Sequence, residues 1–324
     1  MSGARFNVLF ALAAVATLGS LALFAQQQDF SKVEEHLLKA QGNVYMLVGA
    51  GGNITGQVGG EGVLLVDTQY APLSNKILAA VRTVSDGPLR YIINTHSHPD
   101  HVGGNEPLKA AGATIAGGNV AGDIGDAGKG AQFIAHINAY KRMSARVNGQ
   151  FATPQAGWPT STFLGDDKKL YFNGEGIHVI HQPNAHTDGD SIVFFRKSDV
   201  ISAGDLFVTD GYPFIDLNAG GNVQGIVAGL NRIVDLCIPV YGQEGGTMVI
   251  PGHGRLSDIG DVINAREMVT IVRDRVQNMV NRNMTLDQVK AAKPTRDYDT
   301  LYNSPGAFVT GDAFVEAVYR SLKK

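Results

Sequence analysis

Between Thr95 and Asn105 the chain reads T-H-S-H-P-D-H-V-G-G-N, which places three of its nine histidines and one aspartate within six positions. Imidazole and carboxylate are ligand types that suit zinc and related divalent metals. His96 and His98 lie two apart, just past an apolar run, and in extended backbone alternate side chains point the same way. Both can face one ion. Pro99 then bends the chain, so that Asp100 and His101 can aim at a neighbouring point. One short stretch can feed two adjacent metal positions, and each position needs further ligands from elsewhere. Three candidates stand at the ends of later apolar runs: His186 after I-H-V-I-H-Q-P-N-A, Asp205 after V-I-S-A-G, and His253 after M-V-I-P-G. Ligands on loops at strand ends, held by a rigid sheet, are what a preorganised metal site requires.

The elements that position these residues follow from the pattern of apolar residues. N-V-Y-M-L-V, N-I-T-G-Q-V and G-V-L-L-V-D are short β-rich runs separated by glycines. Leu73, Ile77, Ala80, Val81 and Val84 share one face of a helix over 72–84, with proline in its first turn. Leu89–Ile93 is a strand running straight into the histidine cluster. Glu106–Ala111 follows as a helix, and A-T-I-A-G as another strand, so strand and helix alternate as in a layered sheet with parallel neighbours. Residues 119–150 are weakly patterned and are read as short helices. Strand character returns after Pro159 in K-L-Y-F, I-H-V-I-H, S-I-V-F-F and V-I-S-A, with a helix over 223–235 and a strand at T-M-V-I. A long amphipathic helix spans 259–280. A capping box, T-L-D-Q, opens a helix at Thr285, and a last helix ends near Leu322. These features give an α/β protein of two packed sheets over 43–256, with a C-terminal helical extension, 257–324, packed on it.

Composition sets the outer limits. A chain of 324 residues, 44% hydrophobic, can bury a substantial core. With 27 basic and 30 acidic residues and no extended basic patch, nucleic acid is not an expected partner. Residues 1–25 have the form of a secretory signal peptide: Arg5, then an uncharged apolar run from Val8 to Ala25, then Q-Q-Q-D. The chain is expected to be exported, periplasmic or secreted, with membrane contact only if the leader stays uncleaved. Cys237 is the sole cysteine, so no intramolecular disulfide forms, and its apolar surroundings suggest a buried, inert thiol. His36, His136, His178 and His181 are read as structural. Oligomeric state has no signature here.

Taken in order, V-L-L-V-D-T, H-S-H-P-D-H, A-H-T-D-G-D, S-A-G-D-L-F and P-G-H-G resemble the motifs of the metallo-β-lactamase superfamily, over about 43 to 255. The resemblance implies a four-layer αβ/βα sandwich with two Zn2+ at one edge. It assigns His96, His98 and His186 to one zinc, Asp100, His101 and His253 to the other, and Asp205 to both. Two such ions can share a hydroxide with a pKa near ~7 that attacks a carbonyl or phosphoryl centre. Asp100 would orient it and carry a proton to the leaving group. Asp67 would fix a histidine or a loop behind the ligands.

The same resemblance narrows the reaction. His98 is not the glutamate of diiron flavodiiron proteins, so hydrolysis is favoured over redox chemistry. Asp205 is not the cysteine of some β-lactamase subclasses, and His101 resembles the divergent remaining subclass and glyoxalase II-like members. Val208 stands where some lactamases carry a lysine for the substrate carboxylate. The expected function is an exported dinuclear zinc hydrolase that attacks a cyclic amide or ester carbonyl of a small molecule, β-lactamase-like. The alternatives are a mononuclear iron sulfur-dioxygenase, or a hydrolase of thioesters, lactones or phosphoesters. Tyr212, Asn218 and Arg255 are the candidate substrate contacts, Arg255 as counter-charge for a carboxylate.

Overall fold

The computed structural model describes residues 29–114, 129–238, 245–303 and 307–323. The segment expected to be a signal peptide, 1–25, lies outside them. Asp29–Val33 belongs to a separate small unit, of which the described part is a single 3-10 turn, Phe30–Lys32, capped by the Asp29 side chain. Everything from Glu34 onward forms one compact unit.

Its first sheet contains β1 (His36–Gln41), β2 (Val44–Val48), β3 (Ile54–Gly59), β4 (Gly62–Val66), β5 (Leu89–Ile93) and β6 (Gln132–His136). A small hairpin, β7 (Arg146–Val147) and β8 (Gln150–Phe151), precedes β9 (Ser161–Phe163), which completes that sheet in the order β1-β2-β3-β4-β5-β6-β9. Pairing is antiparallel from β1 to β4, where tight glycine-bearing turns connect the strands. It is parallel from β4 to β9, where helices intervene. The second sheet runs β10 (Asp167–Phe172), β11 (Glu175–Gln182), β12 (Asp190–Phe195), β13 (Val200–Val208), β14 (Met248–His253), with β13 and β14 parallel.

Between the sheets, Val44, Met46, Leu64, Val66, Ile93 and Ile134 meet Phe172, Ile177, Val179, Val193, Val200 and Ile250, all buried. Helices cover the two outer faces. Along the chain they are α1 (Ser74–Arg82), α2 (Pro99–Val102), α3 (Asn105–Ala111), α4 (Ile137–Met143), α5 (Val223–Leu236), α6 (Ile259–Asn281), α7 (Leu286–Ala291), α8 (Asp299–Tyr302) and α9 (Gly311–Leu322). α3 lies against β5 and α4 against β6. α5, α6 and α9 pack together over the second sheet, where Ile226, Leu230, Val269, Val272, Phe314 and Val318 join Ile192, Ile201 and Leu206 in one cluster. The result is the expected four-layer αβ/βα sandwich, and the C-terminal helices share its largest core. The expected capping box is present, closed by Thr285 and Gln288 at α7, and Asp258 and Asp261 close a second, not anticipated from the sequence, at α6.

Two sequence expectations are corrected. Residues 119–150 were read as short helices, but 132–136 form β6, a central parallel strand, and α4 is the one helix described there. Its run Q-F-I-A-H is short and nearly all buried, so neither the strand nor the helix period shows in it. The strand expected at 113–117 is represented in the described residues by isolated bridges of Ala113; the remainder lies outside them. The sheet also begins earlier than residue 43, with β1.

Candidate metal centre

All seven expected ligands converge at one edge of the sandwich. β5 delivers His96, and His98 follows as the N-cap of α2, whose first turn carries Asp100 and His101. The β11–β12 connection supplies His186, and β14 ends on His253. Asp205 lies within β13, beside a break in register at Gly204. Gly204 has φ +53, and a Cβ there would stand 2.7 Å from the Cβ of Thr95, so glycine satisfies both the backbone and the close approach of the two sheets.

The ligand atoms fall into two groups, each within 4.8 Å: His96, His98, His186 and Asp205, and Asp100, His101 and His253. In the first, His186 Nε2 stands 2.8 Å from His98 Nδ1, and Asp205 Oδ2 lies 3.6 Å from His186 Nε2 and 3.9 Å from His96 Nε2. In the second, His101 Nε2 and His253 Nε2 are 3.3 Å apart, and Asp100 Oδ2 is 3.2 Å from His253 Nε2. Asp205 divides its carboxylate between them, with Oδ1 at 3.0 Å from His101 Nε2 and 3.5 Å from His253 Nε2.

The ring nitrogens that face away are anchored. His98 donates through Nε2 to Asp216 Oδ2 at 3.0 Å, His186 through Nδ1 to the Phe214 carbonyl at 2.8 Å, and His101 through Nδ1 to Asp67 Oδ2 at 2.8 Å. Thr95 Oγ1 donates to Asp67 at 2.6 Å and so accepts from His96 Nδ1 at 3.0 Å. These bonds fix the tautomers and leave a lone pair on each inward nitrogen. Asp67 is buried in the left-handed region, φ 64, a conformation that is costly for a non-glycine residue. Its four acceptor contacts, to Asn94, Thr95 twice and His101, hold it there.

A pair of divalent metals fits this donor set. His96 Nε2 is buried and makes no hydrogen bond, and Asp205 Oδ1 is likewise left without a well-formed one. Lone pairs of His98 and His186 face each other at close range. Buried polar atoms are otherwise almost always paired. Burial pulls the His186 imidazole down to about 4 and His96 well below its ordinary value, with neighbouring histidines adding to the effect on His96. Burial also opposes charge on His253, but the carboxylates of Asp100 and Asp205 outweigh it and lift the ring to about 10. Asp205 itself, despite burial, is held well below the usual carboxylate range, chiefly by His101. The site is electrostatically built for positive charge.

Beside the ligands opens a cavity of about 650 Å3, lined among the described residues by His98, Asp100, Asp205 and His253 on one side and by Tyr70, Val208, Phe214 and Ala307–Val309 on the other. Tyr212 also lines it, but its ring stacks on Phe314 at 5.1 Å and its hydroxyl donates away from the cavity, to Asp299 Oδ1 at 2.9 Å. Asn218 and Arg255 are not among the lining residues. Asn218 is exposed; its N–H donates to Asp216 and its carbonyl accepts from Arg142. Arg255 is drawn outward into a two-pronged pair with Asp261 at the start of α6, which corrects its expected position facing a substrate carboxylate. Sequence reasoning missed Asp216 as the anchor of His98, and it missed Phe308 entirely. Cys237 is buried, and burial pushes its thiol up to about 12, as expected of an inert residue.

Residues 39–253 match the model of the metallo-beta-lactamase superfamily, and the chain belongs to that family. It is 24% identical over 258 residues to a linear primary-alkylsulfatase from Pseudomonas sp. (strain ATCC 19151), covering 71% of this chain and 47% of that protein. It is 20% identical over 210 residues to a type 2 metallo-beta-lactamase from Bacillus cereus, covering 64% and 69%. Among solved structures, a stereoselective inverting sec-alkylsulfatase from Pseudomonas sp. superposes with a TM-score of 0.63 at 14% identity, over 88% of this chain and 50% of that one. A metallo-beta-lactamase from Pontibacter korlensis gives 0.56 at 16% identity, over 73% and 99%. The chain therefore spans about half the length of the alkylsulfatases it matches. At these identities the structural likeness defines the fold.

Proposed function

We propose that this protein is an exported hydrolase that uses two zinc ions to cleave a carboxylic ester or a cyclic amide or ester of a small molecule. The observation that carries the reading is the division of Asp205 between two complete ligand groups at the wall of a cavity. His96, His98 and His186 would hold one ion and Asp100, His101 and His253 the other, with Asp205 touching both. Zinc bound there would supply a nucleophile at neutral pH by acidifying water, and would polarise the oxygen bonded to the carbon under attack. The chain's own contribution is positional. Asp216, the Phe214 carbonyl, Thr95 and Asp67 hold four imidazoles with their lone pairs inward. Asp100, kept ionised despite burial by His253 and His101, places its carboxylate in the cavity wall, where it can accept a proton and return it to the leaving group. Arg5 and the apolar run that follows support export; no described helix is long and apolar enough to cross a membrane.

A second reading, cleavage of a sulfate ester, is favoured by one observation. The alkylsulfatase superposition covers 88% of the chain, against 73% for the β-lactamase. The test is metal content of the purified chain, paired with turnover of chromogenic carboxylic ester, β-lactam and sulfate ester substrates before and after chelation. Two zinc per chain and chelator-sensitive turnover of an ester or lactam are expected. Turnover of the sulfate ester alone would move the assignment to the second reading, and one iron per chain would overturn both in favour of a dioxygenase.

A further inference from the structure

The cavity is two-sided. Away from the ligands its lining is mostly apolar, with Val208, Phe214, Phe308 and Val309 among the residues that form it. Phe308 exposes 88% of its surface and Phe214 38%. Their rings meet edge-on at 5.6 Å and 77°, and the Phe214 ring stands 5.9 Å from that of His98 and 5.8 Å from that of His186. An apolar surface thus runs without interruption from the ligand edge to the mouth. No lysine or arginine is among the described lining residues, while Asp210 adds a carboxylate to it. Arg255, the nearest candidate from sequence, is held by Asp261. Away from the ligand edge, an anionic substituent would meet no counter-charge among the described residues, whereas an alkyl or aryl group would shed water against both rings. Residues 307–309 also lie beyond the 39–253 segment that matches the family model, so this wall is supplied by the C-terminal extension.

We propose that Phe214 and Phe308 form an acyl-group subsite, and that the substrates are neutral hydrophobic esters or lactones, not rings bearing a carboxylate. The inference rests on the hydrolase reading and deepens it. Water attacks the acyl carbon and the bond from that carbon to the alkoxy oxygen breaks, giving the acid, whose acyl chain lies along the surface made by the two touching rings, and the alcohol.

The test is a series of p-nitrophenyl esters from acetate to hexanoate on the zinc-loaded chain, with equilibrium binding of hexanamide, hexanoate and acetamide measured separately by ligand-observed NMR. Turnover efficiency is expected to rise about two- to fourfold per methylene, since each methylene leaves water for an apolar surface. Hexanamide is expected to bind more tightly than either acetamide or hexanoate. Phe308→Ala should flatten the chain-length series and weaken hexanamide severalfold. The exposed position makes misfolding no explanation of that result, and Phe308→Leu should restore part of the slope. A flat series in the parent chain, or a slope unchanged by Phe308→Ala, overturns the subsite while leaving the hydrolase intact. Absence of ester turnover with Phe308-dependent hexanamide binding supports the subsite and counts against the hydrolase.

Discussion

The two ligand groups share Asp205 but are built differently. In the first, His96 and His186 are fully buried, and its three imidazoles are braced by three separate acceptors: Thr95, Asp216 and the Phe214 carbonyl. In the second, His101 alone is fully buried, and Asp100 and His253 face the cavity with about a quarter of their side chains exposed. Among the described residues its single imidazole brace is Asp67 on His101. Burial and bracing lower the entropy lost on binding and exclude competing water. On the proposed reading, the first group would hold its ion and the second would exchange it and face the substrate. Metal removal by a chelator should therefore proceed in two stages, with the cavity-facing ion leaving first.

The largest expected effect removes the element common to both groups. Asp205→Ala should lower turnover by about three orders of magnitude, the several kcal/mol of stabilisation that bound metal supplies, and bring metal content below one per chain. Retention of a single tightly held ion, with the first group intact, would mean that three braced histidines suffice without the carboxylate. That result would sharpen the contrast between the groups rather than abolish it.

Bracing can be tested separately on each side. Asp216→Asn should weaken the first ion by about 10- to 100-fold, and Asp67→Asn should do the same to the second. Isothermal titration of metal into each variant measures both steps. Equal weakening of both ions in both variants would show that the groups act as one unit. Asp67→Asn carries an added effect, because Asp67 also accepts from Thr95, which positions His96.

What the sequence revealed and what it hid divide along the same line. The ligands were legible because they cluster within a few positions or stand at the ends of apolar runs that must be strands. The bracing was mostly not. A backbone carbonyl such as that of Phe214 leaves no trace in residue type, and Asp216 meets His98 across 118 positions. Asp67 was legible because it closes a strand beside the cluster. β6 was hidden because five residues, four of them buried, show no period, and Phe308 because its contact with Phe214 depends on how the C-terminal helices return to the site. Arg255 was misplaced for a local reason: Asp261, six residues on and inside a helix-capping box, is the nearer partner.

The smallest effect concerns the ground beneath the second group. Glu35 is half-buried and lies near Gln69, on the loop that follows Asp67. Burial raises its carboxyl to about 7, offset only in part by the Gln69 side chain and the charge of Lys76. A carboxyl whose folded value exceeds its unfolded value binds its proton more tightly when folded. Stability therefore falls as pH rises from about 4.5 to 7 and is level above that. Glu35→Gln removes the titration. Because the side chain is only half-buried, solvent screening limits the gain to about 1 kcal/mol at pH 8, a few degrees in melting temperature, with little difference at pH 4.5. Thermal unfolding of both proteins across that range measures it, and the same samples report metal content. A stabilised variant with both ions retained would show that the second group's looser hold comes from its exposure to the cavity. A variant that binds its second ion more weakly would instead show that the Glu35 carboxylate helps to hold that cation.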